Sequence, residues 1–190
     1  MSGKAMVHPT SLIEEGVQIG AGSRIWCFCH LQVGAVVGEN CVLGQNVNLA
    51  PGVKIGNDVK IQNNVSIYEG VELEDGVFCG PSCVFTNDLT PRSEYPKEKK
   101  AYRPTRVRRG ATIGANATVL CGCTIGRWAM VAAGAVVTRN LPDHALAIGN
   151  PARHRGWVCR CGKKLGKDLY CPVCRRQYRL AQEGLREEKA

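Results

Sequence analysis

One feature constrains this chain more than any other: an apolar residue recurs every sixth position. From Ile13 the steps read Ile13, Ile19, Ile25, Leu31, Val37, Leu43, Leu49, Ile55, Ile61, Ile67, Leu73, Cys79 and Phe85. The register breaks there and resumes at Val107, Ile113, Val119, Ile125, Val131 and Val137. Four residues after nearly every one stands a small or β-branched partner, such as Val47, Val53, Val65, Cys83, Ala111 or Ala135. A period of six fits neither a 3.6-residue helix nor one long alternating strand. It fits short strands joined by tight turns, and Gly52, Gly70, Gly76, Gly110, Asn46, Asn64 and Asn116 supply the turn chemistry. Three such sides close one coil of a triangular prism, and stacked coils bury the inward apolar pairs. The predicted class is all-β, a parallel β-helix of hexapeptide repeats.

The length of 190 residues allows one such domain and a small appendage. Aromatics are only 6%, so the core must be built from Val, Ile, Leu, Ala and Cys. No run approaches the roughly 18 apolar residues of a membrane span, so none is expected. The opening Met1–Met6 stretch has no apolar segment of the kind a signal peptide carries, so a cytoplasmic protein is expected. Eleven cysteines then imply a reducing compartment, where thiols pack in cores or hold metal. Cys29, Cys41, Cys79, Cys83 and Cys123 fall on inward positions and read as small hydrophobes. Cys27 and Cys121 fall on turns, where partial exposure is expected. Charge is uneven: residues 1–87 carry 4 basic and 8 acidic side chains, residues 88–190 carry 21 and 8. A basic half suits a phosphate-bearing partner such as a nucleotide, coenzyme A or nucleic acid; a solvated basic surface gives the same count.

Two departures from the repeat suggest where function lies. The step from Phe85 to Val107 holds 16 residues more than the repeat requires, an excursion over about 88–106 with Tyr95, Tyr102 and several basic residues able to close over an anion. Residues one coil apart also stack on a shared corner. One corner carries Cys27-Phe28, Gln45-Asn46, Asn63-Asn64 and Pro81-Ser82, and past the excursion Ala115-Asn116 and Ala133-Gly134. Amide side chains suit a base or sugar, but Asn also simply satisfies left-handed turn geometry. Small Ala115 and Ala133 leave room for an extended ligand along the corner, or are merely small turn residues.

With these hexads, the excursion and the closing Gly149-Asn150-Pro151-Ala152-Arg153, the chain resembles the left-handed β-helix acyltransferases. The runs Gly22-Ser23-Arg24-Ile25-Trp26, Leu43-Gly44-Gln45-Asn46-Val47, Lys60-Ile61-Gln62-Asn63-Asn64, Val84-Phe85-Thr86-Asn87 and Pro91-Arg92-Ser93 narrow the likeness. They resemble the nucleotide-sugar 3-N-acetyltransferases, close to those acting on UDP-2-acetamido-3-amino-2,3-dideoxyglucuronate in bacterial surface-polysaccharide pathways. The likeness spans about residues 8–157. It implies the left hand of the coil, a homotrimer with sites between prisms, and acetyl-CoA as co-substrate. It places pantetheine by Ala115 and Ala133 with phosphates near basic groups such as Arg153. It places a UDP-sugar within reach of Arg24, Trp26, Gln45, Asn46, Gln62, Asn63 and the loop residue Arg92. Asn87 matches the family's polar residue beside the reacting amine. A dTDP-linked or 4-amino sugar is the alternative acceptor.

Acetyl transfer needs an unprotonated amine, a thioester held close, and donors for the developing oxyanion. Of His8, His30, His144 and His154, His30 stands next to the turn bearing Trp26 and is the candidate base, set against a merely structural role. Family members often read Ile-Trp-His where this chain reads Ile25-Trp26-Cys27. The catalytic expectation is therefore Asn87 with positioning, and proton removal by His30, water or the departing thiolate. A γ-class carbonic anhydrase needs three clustered His ligands, which this spacing does not offer. A non-catalytic trimeric scaffold would have no need of the excursion.

The tail is a separate unit over 158–178. Cys159 and Cys161, then Cys171 and Cys174, form two close thiol pairs suited to tetrahedral Zn²⁺ in a zinc-ribbon-like module. So short a segment would draw most of its folding energy from structural zinc. Residues 179–190 are expected as a short helix or disordered tail. Nucleic-acid binding by the basic ribbon is the lesser reading, and none is expected.

Overall fold

The computed structural model describes residues 3–188. Two-residue strands succeed one another along the chain and stack into three parallel sheets. The first face begins with Met6–Val7 and Arg24–Ile25, the second with Leu12–Ile13 and His30–Leu31, the third with Gln18–Ile19 and Val36–Val37. Strands pair one 18-residue coil apart, as in Arg24↔Val42 and Ser66↔Asn48. The excursion lengthens one step, so Phe78 pairs with Thr112, yet the prism continues in register. A parallel β-helix is thus what the six-residue period builds.

The inward positions form one continuous core. Ile25, Leu31, Leu43, Leu49, Ile61, Ile67, Ile113 and Ile125 are all fully buried, with Ala35, Val47, Val65 and Ala117 between them. At roughly 25 cal/mol per Å² of apolar area, this stack carries most of the fold's favourable energy. Ile13, Val17 and Ile19 are only partly buried, because the first coil has a neighbour on one side only. Cys29, Cys41, Cys79, Cys83 and Cys123 lie inside as expected. Burial pushes the thiols of Cys29 and Cys41 up, and they donate to Gly44 O at 3.0 Å and Gly56 O at 3.1 Å. Cys121 corrects the expectation for a turn thiol: it is only 4% exposed. Its N–H donates to Thr86 Oγ1 at 3.0 Å, so the root of the excursion covers it.

The corners are held by a side-chain ladder. Asn57 Oδ1 accepts from Glu39 N–H, Asp75 Oδ1 from Asn57 N–H, and Asn63 Oδ1 from Gln45 N–H, each one coil apart. Asn46, Asn64 and Asn116 take positive φ of 57°, 60° and 53°, the left-handed turn that Asn tolerates.

Past the last coil, Arg153–Trp157 folds back antiparallel on Ala145–Ile148. Among the described residues the tail forms no helix. Tyr178–Ala181 and Gly184–Glu187 make an antiparallel hairpin around Gln182-Glu183. Tyr178 and Leu185 must both be buried against the cysteines and the end of the prism, which cross-strand pairing achieves. No helix among the described residues is long and apolar enough to cross a membrane.

Candidate functional site

Asn87 is half-buried where the chain leaves the second face. The neck of the excursion is closed by Arg103 N–H donating to Asn87 O at 3.2 Å, and the chain rejoins the corner through Thr105 N–H to Gly70 O at 2.9 Å. Inside the loop, Asp88 accepts from Thr90 N–H and from Lys97, whose ammonium holds that carboxyl below its usual range. Asn87 therefore sits at the hinged root of an ordered loop, its backbone fixed. Arg92 lies in the exposed part and, among the described residues, its side chain bonds only to the neighbouring Pro91 O at 3.3 Å.

His30 is on the outer side of the second face. Its Nε2 meets Glu14 Oε1 at 2.5 Å, and the other Glu14 oxygen accepts from Val33 N–H at 2.8 Å. The hydrogen bond to His30 holds the Glu14 carboxyl below its ordinary value. Sequence reasoning missed Glu14; laying the coils over one another would have shown it beside His30. Three strand spacings separate His30–Leu31 from Val84–Phe85 on that face. At roughly 4.8 Å each, His30 stands on the order of 14 Å from the coil of Asn87. Within one chain the two expected catalytic residues are not brought together.

The first corner, between the first and second faces and carrying Gln45, Asn63, Ala115 and Ala133, divides into two zones. In the lower zone Asn46 Nδ2 donates to Asn64 Oδ1 at 3.1 Å and Asn63 Oδ1 is committed to Gln45 N–H, so these amides serve the turn ladder first. Gln62 is half-buried beside them, while Arg24 and Trp26 are exposed one coil below Gln45, Trp26 by 45%. In the upper zone the ladder stops. Pro81 has no N–H, and no Asx stands above Ala115, only Ala133. Among the described residues, the N–H groups of Ala115 and Ala133 have no protein partner, while Gly134 N–H reaches Ala115 O at 2.8 Å. Two stacked donors with little side chain around them form a strip suited to amide carbonyls of an extended ligand. The strip ends near the Gly149–Pro151 turn, tied down by Ala152 N–H to Val136 O at 2.7 Å, and exposed Arg153 follows. Asn87 and this strip lie on opposite edges of the second face.

The Sγ atoms of Cys159, Cys161, Cys171 and Cys174 all lie within 4.8 Å of one another. All four are free thiols, with Cys159···Cys174 at 3.1 Å and Cys161···Cys171 at 3.6 Å. A tetrahedral ion with metal–sulfur bonds of about 2.3 Å needs sulfurs on the order of 3.8 Å apart, so the set fits. Burial pushes the Cys159 thiol up to about 12. At Cys171 burial is outweighed by amide donation from Cys174 and Val173, and the thiol falls to about 6. Between the prism end and the hairpin lies a cavity of about 590 Å³ lined by Arg127, Trp128, Asp143, His144 and Arg160. Two of its cations are engaged: Arg127 with Asp143, and Arg160 with Glu187 and the Trp128 ring.

The bacterial transferase hexapeptide (six repeats) family matches residues 34–68 and 104–139. A dTDP-3-amino-3,6-dideoxy-α-D-galactopyranose 3-N-acetyltransferase from Aneurinibacillus thermoaerophilus is 53% identical over 159 residues, 84% of this chain and 81% of that one. A hexapeptide-repeat acetyltransferase from Vibrio cholerae, solved with acetyl coenzyme A, superimposes with TM-score 0.57 at 25% identity, over 66% of this chain and 71% of the other. An acetyltransferase domain from Neisseria gonorrhoeae, also solved with acetyl coenzyme A, gives TM-score 0.52 at 20% identity, over 80% of this chain and 57% of the other, and shares the fold.

Proposed function

The chain belongs to the hexapeptide-repeat acetyltransferases, and from that premise we propose that it moves acetyl from acetyl-CoA to the 3-amino group of a dTDP-linked sugar. The carrying observation is the 53% identity, over most of both chains, to an enzyme named for a dTDP-3-amino sugar. That relationship favours dTDP over the UDP sugar expected from the motifs.

The co-substrate lies along the upper first corner, its pantetheine carbonyls accepting from Ala115 and Ala133 N–H and its phosphates toward Arg153. The nucleotide sugar is bound by a set drawn from Arg24, Trp26, Gln45, Asn46, Gln62, Asn63 and Arg92. Asn87 accepts a hydrogen bond from the sugar amine and aims its lone pair at the thioester carbon. The C–N bond forms as the C–S bond breaks, and the amine proton leaves with the departing thiolate. His30, engaged by Glu14 and three strand spacings from the Asn87 of its own chain, is assigned to substrate binding rather than to taking that proton. Because Asn87 and the Ala115–Ala133 strip occupy opposite edges of one face, a second prism completes the site, which supports a homotrimer. The four cysteines hold a structural Zn²⁺.

The test is steady-state kinetics on Asn87→Ala with dTDP- and UDP-linked 3-amino sugars, acetyl-CoA and free CoA release. The wild-type chain should acetylate the dTDP sugar in preference, and the variant should lose about 10²-fold or more in kcat. Unchanged turnover in the variant would remove Asn87 from the reaction; turnover of the UDP sugar alone would overturn the nucleotide assignment.

A further inference from the structure

A solenoid must end, and its last coil presents an edge of unpaired backbone groups. Here that edge is occupied. Leu141 bridges Ile125 at the top of the third face, and two residues on Asp143 bridges Gly184 of the tail in parallel. Asp143 N–H donates to Glu183 O at 2.7 Å and Leu185 N–H donates to Asp143 O at 3.2 Å. The tail thus supplies one more rung. The fit admits only glycine at its centre: Gly184 has φ 126°, and a Cβ there would lie 2.3 Å from Asp143 O and 2.7 Å from Asp143 N.

The same short strand reaches into the cysteine cluster. Leu185 is buried with Cys159, Leu165, Cys171 and Tyr178 in a core separate from that of the prism. The Tyr178 hydroxyl lies 3.1 Å from Cys159 Sγ and accepts from Arg160 N–H at 3.2 Å. A second tie runs beside it: Val158 N–H donates to His144 O, and His144 Nδ1–H donates to Val158 O, both at 2.9 Å. Two of the five fully buried members of this core are thiols of the four-cysteine set. So small a core does not fold on apolar burial alone and depends on a bound ion. The ion pairs along the seam, Arg108–Glu183 and Arg160–Glu187, involve partly exposed groups and add little.

We propose that the C-terminal module is a metal-dependent cap: Zn²⁺ on Cys159, Cys161, Cys171 and Cys174 holds the Gly184–Glu187 strand as the terminal rung of the prism. This rests on the zinc reading above and goes beyond it, because it makes the protection of the last coil a function of metal occupancy. The experiment uses the full chain purified with zinc. Metal content is read by plasma mass spectrometry, and hydrogen exchange is followed by mass spectrometry before and after stripping with 1,10-phenanthroline and after zinc is restored. One zinc per chain is expected. Stripping should speed exchange in residues 158–188 and, at least tenfold, in 141–147, while the coils from Arg24 to Val119 stay protected; zinc should reverse both changes. If residues 158–188 open and 141–147 keep their protection, the cap is wrong and the zinc site stands. If no metal is bound, the zinc reading itself falls. A Gly184→Ala chain should keep its zinc yet expose 141–147; wild-type protection there would overturn the docking geometry.

Discussion

Replacing Ala133 by Asn perturbs the first corner in two opposite directions. Lower down this corner the Gln45 N–H is capped from one coil above by Asn63 at 3.0 Å, and on another corner Asp75 caps Asn57 in the same way at 2.9 Å. Ala133 stands over Ala115 as Asn63 stands over Gln45, and the following residue has the same turn, φ 68° at Gly134 and 60° at Asn64. An Asn at 133 reaches the Ala115 amide in that geometry. One net hydrogen bond contributes about 0.5–1.5 kcal/mol. The fold should gain up to that amount, a rise in Tm of roughly 2–4 °C per kcal/mol for a chain of this size. If acetyl-CoA uses the same amide, the co-substrate loses what the fold gains, and its KM should rise roughly two- to tenfold. The KM for the sugar should not move. Ala133→Leu separates bulk from capping, since it fills the strip without supplying an acceptor and should raise KM without raising Tm. Steady-state kinetics with both substrates varied, and thermal unfolding of the same preparations, read all of this. A raised Tm with an unchanged acetyl-CoA KM would show that the amide is capped and the co-substrate does not miss it, and the strip would lose its assigned role.

Two further outcomes follow from the geometry. Ser23 is fully buried and staples its own coil to the next, its Oγ donating to Gly38 O at 2.7 Å and accepting from Cys41 N–H at 2.9 Å; Ser23→Ala should cost about 1–3 kcal/mol by calorimetry, and Ser23→Cys less, because a thiol retains a weak donor and acceptor. His30→Gln should raise the KM for the nucleotide sugar with little change in kcat or in its pH profile, whereas a fall in kcat of a hundredfold with loss of the acidic limb would restore His30 as the base.

The fold was legible because its period is written in side-chain volume. Every sixth residue must fit a core one coil thick, so Ile61, Ile67 and Ile113 announce their orientation without any help from tertiary context. Stacking was legible for the same reason, and it placed Gln45, Asn63, Ala115 and Ala133 on one corner in advance. What the period does not encode is harder to read. Cys121 is covered by Thr86, a contact created by where the excursion returns rather than by the repeat. The tail hairpin depends on an edge at Asp143 that exists only once the prism has ended, so the sequence of 179–190 read as a short helix or disordered tail instead. The distance between His30 and Asn87 was hidden because both lie on one face, and only counting coils shows that three spacings part them.

A repeat is its own control, and its lapses stand out against the turns that keep it. Asn63 and Asn64 look like ligand-binding amides in the sequence, yet each has a structural task one coil away. Ala115 and Ala133 look inert, yet they stack two N–H groups that have no protein partner among the described residues. An exposed amide can bond to water at small net cost, so the fold tolerates the lapse, and an arriving carbonyl meets a fixed, already oriented donor. The excursion is a lapse of the same kind, in which the corner between the second and third faces gives up one tight turn and gains the rooted Asn87. The tail shows the converse. Where an unsatisfied edge would carry no function, at Asp143, the chain spends some thirty residues covering it.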